Sequence, residues 1–184
     1  GIPPLFGATA FGISAAMLMG TIRFKFKQSE DTLIGAIWAI GMAVGILFIH
    51  WSSGYASDLM SYLFGNILLS TSTECLAILI LDAFILLSVF LYARSFQAIT
   101  FDEEYAKLIN LPVYKLYLLL LGLIAITTVI LIRVVGVILV IALLTLPAAA
   151  AKNYTDNMPA LQTLSVIFGM ISTILGLVIS YFLN

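Results

Sequence analysis

Across 184 residues, 62% are hydrophobic and 9% are charged, and the mean hydropathy is +1.17. A water-soluble domain carries about 25% charged residues and at most about half apolar ones, so this composition excludes one and requires lipid as solvent. A formal net charge of -1 offers no basic field for nucleic acid, and single copies of cysteine (Cys75) and histidine (His50) exclude an internal disulfide, a cysteine cluster and a histidine-rich metal cage.

The first residue is Gly1 rather than Met, and no charged segment precedes the first apolar run. No signal peptide is expected, and the chain is expected to begin partway through a larger protein. Crossing a hydrocarbon core takes roughly 20 helical residues. Six apolar stretches meet or approach that length, at about 4–22, 32–51, 75–93, 115–132, 134–151 and 160–182. They show no alternation of the kind a barrel needs. The expected fold is therefore all-α: a single polytopic transmembrane helical bundle over residues 1–184 with about six spans, multi-pass in the cell membrane.

The first span carries small residues every four positions: Ala8, Gly12, Ala16 and Gly20. The second repeats the pattern with Gly35, Ala39 and Ala43, flanked by Gly41 and Gly45. Such stripes let helix backbones approach closely in lipid. His50 sits beside Trp51 at the end of the second span, either as an interfacial anchor or as a soft ligand near an entry. Residues 52–74 are mixed polar and aromatic and read as a short surface helix, with Thr71 and Glu74 forming a capping box for the third span. Cys75 reads as a small core residue.

Asp82 lies inside the third span. A carboxylate there costs on the order of 2.5–3.5 kcal/mol on insertion scales, so it should face protein or water. It is either a cation-attracting residue near an outer vestibule or a structural acid bonded to a neighbouring helix. Between spans four and five only Arg133 and Gly136 interrupt the apolar run, which fits a tight turn or a broken helix. Thr145 and Pro147 on the fifth span form a polar kink, lining a path or serving packing. Lys152 and Asp156 flank a solvated turn.

Seven basic residues fall on one side when the spans alternate: Arg23, Lys25, Lys27, Arg94, Lys107, Lys115 and Lys152. Arg133 alone falls on the other. The side with seven is the cytoplasm. On it lies the segment TFDEEYAKLINLP, residues 100–112. Thr100 with Glu103 fits a capping box. Asp102, Glu103 and Glu104 suit the positive end of a helix. Phe101, Tyr105, Leu108 and Ile109 form one apolar stripe, and Pro112 ends it. Anionic lipid would repel the acidic head, so the stripe favours a protein partner.

This segment resembles the cytoplasmic coupling helix of the ABC-3 family of zinc, manganese and iron permeases. Residues 29–45 (SEDTLIGAIWAIGMAVG), 58–68 (DLMSYLFGNIL) and 134–151 (VVGVILVIALLTLPAAAA) are similar to further family stretches, in the family's order. The resemblance implies a permease subunit of an ATP-driven importer of divalent Zn, Mn or Fe, working by alternating access. It implies partners: an ABC ATPase subunit docked on Phe101, Asp102, Glu103, Glu104, Tyr105 and Leu108, an extracytoplasmic metal-binding protein, and a second permease copy. The subunit itself would hold no cofactor and would not be an enzyme. No GxxxxGK[ST] is present, so ATP would be hydrolysed on the partner. Family members run longer at both ends, and an upstream span bears the residues implicated in passing metal. No metal ligand is carried to this sequence; Asp82, His50, Thr145 and Pro147 remain pathway candidates. A permease for siderophores or cobalamin, or a secondary transporter, are the alternatives. No HExxH or GxSxG supports an intramembrane hydrolase.

Overall fold

In the computed structural model, residues 4–26, 29–51, 65 and 72–183 are described. They form seven helices and no strand: α1 (Pro4–Phe26), α2 (Glu30–Trp51), α3 (Ser72–Phe101), α4 (Glu103–Leu108), α5 (Val113–Val135), α6 (Val137–Lys152) and α7 (Met158–Leu183). The all-helical expectation holds. The proposed surface helix at 52–74 and the Thr71–Glu74 cap fall outside the described residues or side chains.

Against the expected six spans, four helices among the described residues are long and apolar enough to cross a membrane: Glu30–Phe48, Ile78–Phe101, Val113–Val135 and Met158–Phe182. Helix α6 is apolar but has 16 residues, about 24 Å at 1.5 Å per residue, short of a hydrocarbon core of about 30 Å. Helix α1 has 23 residues, long enough to cross, and Arg23 and Lys25 occupy its last turn. Helix α3 has 30 residues, about 45 Å, so one of its ends extends past the hydrocarbon.

Packing follows the small residues on α1. Helix α1 lies chiefly on α5. A Cβ on Gly12 would fall 3.0 Å from Val129 Cγ2, and one on Gly20 would fall 2.6 Å from Leu118 Cδ2 and 3.1 Å from Leu121 Cδ1. Glycine there removes the atom that would hold the helices apart. The matching stripe on α2 does not do this. Nothing lies within 4 Å of a Cβ placed on Gly35, Gly41 or Gly45, so among the described residues that face is open.

The interruption between α5 and α6 is one residue, Gly136, at φ 80 and ψ 160. Its amide donates back to Ile132 and its carbonyl accepts from the Val140 amide. Gly65, at φ 71, lies against the Val135–Gly136 peptide. Helices α6 and α7 pack together, with Pro147 buried against Gly169, whose Cβ would fall 3.7 Å from Pro147 Cγ.

The buried core sits at one end of the bundle. Phe96 and Ile99 of α3, Ala106 of α4, and Val113, Leu116 and Leu123 of α5 form it. The fold thereby seats α4 as a short bracket between the ends of α3 and α5.

Candidate partner-docking site

Helix α4 has six residues, and backbone hydrogen bonding alone stabilises so short a helix poorly. Its ends are therefore capped. Asp102 is extended at φ -148 and ψ 97, and its Oδ1 accepts from the Tyr105 amide at 2.9 Å. This corrects the expectation for Thr100. Thr100 belongs to the last turn of α3, where its hydroxyl donates to the Phe96 carbonyl at 2.8 Å. The bond to its own preceding turn removes it as a cap, and Asp102 is the next side chain able to serve. Glu103 and Glu104 fill the first turn.

At the other end, the Leu111 amide donates to Ala106 and the Asn110 amide to Lys107. Asn110 takes φ 57. This is a left-handed exit with both of its reciprocal hydrogen bonds, and asparagine tolerates that backbone. The helix thus ends at Leu108 and leaves through Ile109 and Asn110, ahead of the Pro112 expected to stop it. The expected segment 100–112 resolves into the end of α3, a capped helix and a closing turn.

One side of α4 is anchored and the other is bare. Ala106 is fully buried. Phe101 is 67% exposed, Tyr105 55%, Leu108 80% and Ile109 47%. The apolar stripe read from the sequence therefore stands outward on this bracket. Exposed apolar side chains flanked by charge fit a protein or membrane interaction surface.

A polar cluster not foreseen from the sequence lies behind it. The Arg23 Nε meets Glu30 Oε1 at 2.8 Å, and its Nη2 meets Glu103 Oε2 at 3.3 Å. Lys107 Nζ meets Glu103 Oε1 at 2.6 Å. The Tyr117 hydroxyl donates to Glu30 Oε1 at 2.9 Å. The guanidinium carbon lies 4.4 Å from the Tyr117 ring centre and 5.2 Å from that of Phe24. The partners are 80 and 87 positions apart in sequence, so no local spacing signals them.

The other candidates are dispersed. Asp82 is exposed on α3, and His50 is exposed in the last turn of α2 beside Trp51, which is 77% exposed. Thr145 is exposed, with its hydroxyl bonded to the Ile141 carbonyl at 2.7 Å, whereas Pro147 is buried. Cys75, expected in the core, is exposed near the start of α3, because the packed part of that helix lies at its other end. Among the described residues no three His, Cys, Asp or Glu side chains gather as a metal site. A cavity of about 650 Å³ opens between α6 and α7, lined by Leu139, Leu143, Pro147, Tyr154, Phe168 and Gly176 among others.

The chain is similar to known membrane proteins. An uncharacterized membrane protein of Synechocystis is 44% identical over 181 residues, covering 98% of this chain and 64% of the relative. A probable metal transport system membrane protein of Chlamydia trachomatis is 39% identical over 183 residues, covering 100% of this chain and 62% of the relative. The manganese transport system membrane protein MntC of Listeria monocytogenes is 34% identical over 178 residues, covering 97% and 63%. PsaBC from Streptococcus pneumoniae, solved in complex with a Fab, superposes with a TM-score of 0.79 at 33% identity, over 96% of this chain and 64% of that one. The chain thus spans a little under two thirds of the proteins it matches. The family model for the ABC 3 transport family matches residues 1–184, and the chain, a polytopic membrane protein, belongs to that family.

Proposed function

We propose that the chain forms the membrane-spanning part of a permease subunit in an ATP-driven importer of divalent transition metal ions, in the cell membrane. The observation that carries the reading is the capped helix α4 and the turn before it, where Phe101 at the end of α3, Tyr105 and Leu108 stand exposed beside Asp102 and Glu104, with Glu103 turned to Arg23 behind them. A separate ATPase subunit fits this surface, and ATP is hydrolysed there rather than on this chain. Closure of the ATPase would push α4 against the ends of α3 and α5 and so drive alternating access. The family membership supports transport, and the manganese systems among the relatives favour Mn²⁺ within the set Zn²⁺, Mn²⁺ and Fe²⁺. An extracytoplasmic metal-binding protein and a second permease copy complete the assembly. The ion is cargo, and no resident cofactor is assigned to this subunit.

The test uses the full-length protein with its ATPase. Glu104→Arg combined with Tyr105→Ala is expected to reduce ATPase co-purification and Mn²⁺ uptake while leaving expression intact. Normal ATPase retention would reject α4 as the docking surface, and uptake that needs no ATP would reject the importer reading in favour of a secondary transporter.

A further inference from the structure

Helix α4 is joined to α3 and α5 by the chain itself. Its described polar link to α1 and α2 is the guanidinium of Arg23, which reaches Glu103 on α4 and Glu30 on α2 from the last turn of α1. We propose that Arg23 is a positioning residue that transmits displacement of α4 to α1 and α2. The inference rests on the reading of α4 as the ATPase-docking helix.

The geometry suits this task. Glu103 uses its two oxygens separately: Oε1 is held by Lys107 within α4, and Oε2 faces Arg23. The carboxylate is thus fixed to its own helix and moves with it. Arg23 divides its fork in the same way, with Nε on Glu30 and Nη2 on Glu103. Its plane rests on Tyr117 of α5, and the Tyr117 hydroxyl donates to the same Glu30 oxygen that Arg23 holds. A planar, multiply donating cation can serve two carboxylates and stack at once; an ammonium group is a single point charge and cannot. Two cations and two carboxylates leave the cluster neutral. Without Arg23, two carboxylates on different helices face each other with Lys107 as their remaining cation. The starts of α2 and α4 are then released from one another, while the exposed stripe of Phe101, Tyr105 and Leu108 keeps its own contacts.

The experiment uses full-length protein and its ATPase in proteoliposomes, and reads ATPase retention and Mn²⁺ taken up per ATP hydrolysed. Arg23→Gln is expected to retain the ATPase and to lower uptake per ATP by about fivefold or more, the low end of measured inter-site coupling. Arg23→Lys, which keeps the charge and loses the fork, is expected to fall in between. Wild-type uptake per ATP in folded Arg23→Gln would overturn the proposal. Loss of the ATPase in that variant would overturn it too, because Arg23 would then belong to docking. If Arg23→Gln does not fold, Arg23→Lys decides by the same ratio, and wild-type coupling in it rejects the proposal. The docking reading fails separately, by normal ATPase retention in the Glu104→Arg, Tyr105→Ala protein.

Discussion

Gly65 lies with its Cα against the backbone of Gly136, so close that a Cβ on Gly65 would fall 2.6 Å from the Gly136 nitrogen. Both glycines have positive φ, 71 and 80. The neighbour here is backbone, which cannot swing aside as a side chain can. Gly65→Ala should therefore suffer twice: a positive φ costs about 1–3 kcal/mol for an ordinary residue, and the clash adds to it. Gly65→Asn separates the two effects. Asparagine tolerates the left-handed backbone but still carries a Cβ. Both variants should lower the melting temperature of the detergent-solubilised protein. A stable Gly65→Asn protein would show that the contact with Gly136 is not tight.

The cap of α4 gives a second expectation. Removing an Asp N-cap costs about 0.5–2 kcal/mol, and α4 has no length to absorb it. Asp102→Ala should speed hydrogen exchange at the Tyr105 amide, which Asp102 now holds. Thr100→Ala removes only a bond to the Phe96 carbonyl and should leave that amide protected. Equal exchange in the two variants would return the cap to Thr100.

The contrast between these residues shows what was legible in the sequence. Composition and apolar run length were enough for an all-helical membrane bundle, because lipid leaves the backbone few alternatives. The outward stripe Phe101, Tyr105 and Leu108 was legible because its spacing is local. Thr100 and Asp102 are both capable caps two residues apart, and which one serves depends on where α3 ends, a matter of packing. The stripes on α1 and α2 read alike, yet Gly20 meets Leu118 and Gly35 meets nothing. The Arg23 cluster was invisible because its members lie on four different helices.

Those two stripes yield the third prediction. Gly20→Leu should force α1 away from α5, since even a Cβ there would lie 2.6 Å from Leu118 Cδ2. Overpacking of this kind costs about 1–3 kcal/mol or more. Gly35→Leu has open space and should leave the folded yield unchanged. Gel-filtration yield and thermal melting compare them directly. A loss of fold in Gly35→Leu equal to that in Gly20→Leu would mean that the α2 face is covered within the complete protein.

Sidedness is tested by chemistry on exposed positions. Lys107 and Trp51 are both exposed, and the excess of basic residues is expected to put Lys107 inside and Trp51 outside. Single cysteines at these positions, in a Cys75→Ser background, should react with an impermeant maleimide from opposite faces of intact cells and inverted vesicles. Labelling of both from one face would reject the orientation.

Asp82 is an acid within a candidate span, and its surroundings sharpen its test. It lies within the candidate span Ile78–Phe101, exposed, with Leu79 66% and Leu86 68% exposed on the same side of the helix. None of these neighbours can satisfy a carboxylate. Placed against lipid, the charge would cost on the order of 2.5–3.5 kcal/mol, so in the assembled protein it requires water, a cation or a polar group from outside the described residues. If it attracts cations, Asp82→Asn keeps the shape and hydrogen bonding and loses the charge. Mn²⁺ uptake by the full-length protein should then fall most at low metal concentration, with folded yield maintained. If it bonds to another helix instead, Asp82→Asn should be mild, while Asp82→Leu lowers yield or melting temperature. Uptake against Mn²⁺ concentration, normalised to folded protein, separates the two. A well-folded Asp82→Asn protein with normal uptake at every concentration would remove Asp82 from the ion's route, because the charge would then have no part in drawing the ion in.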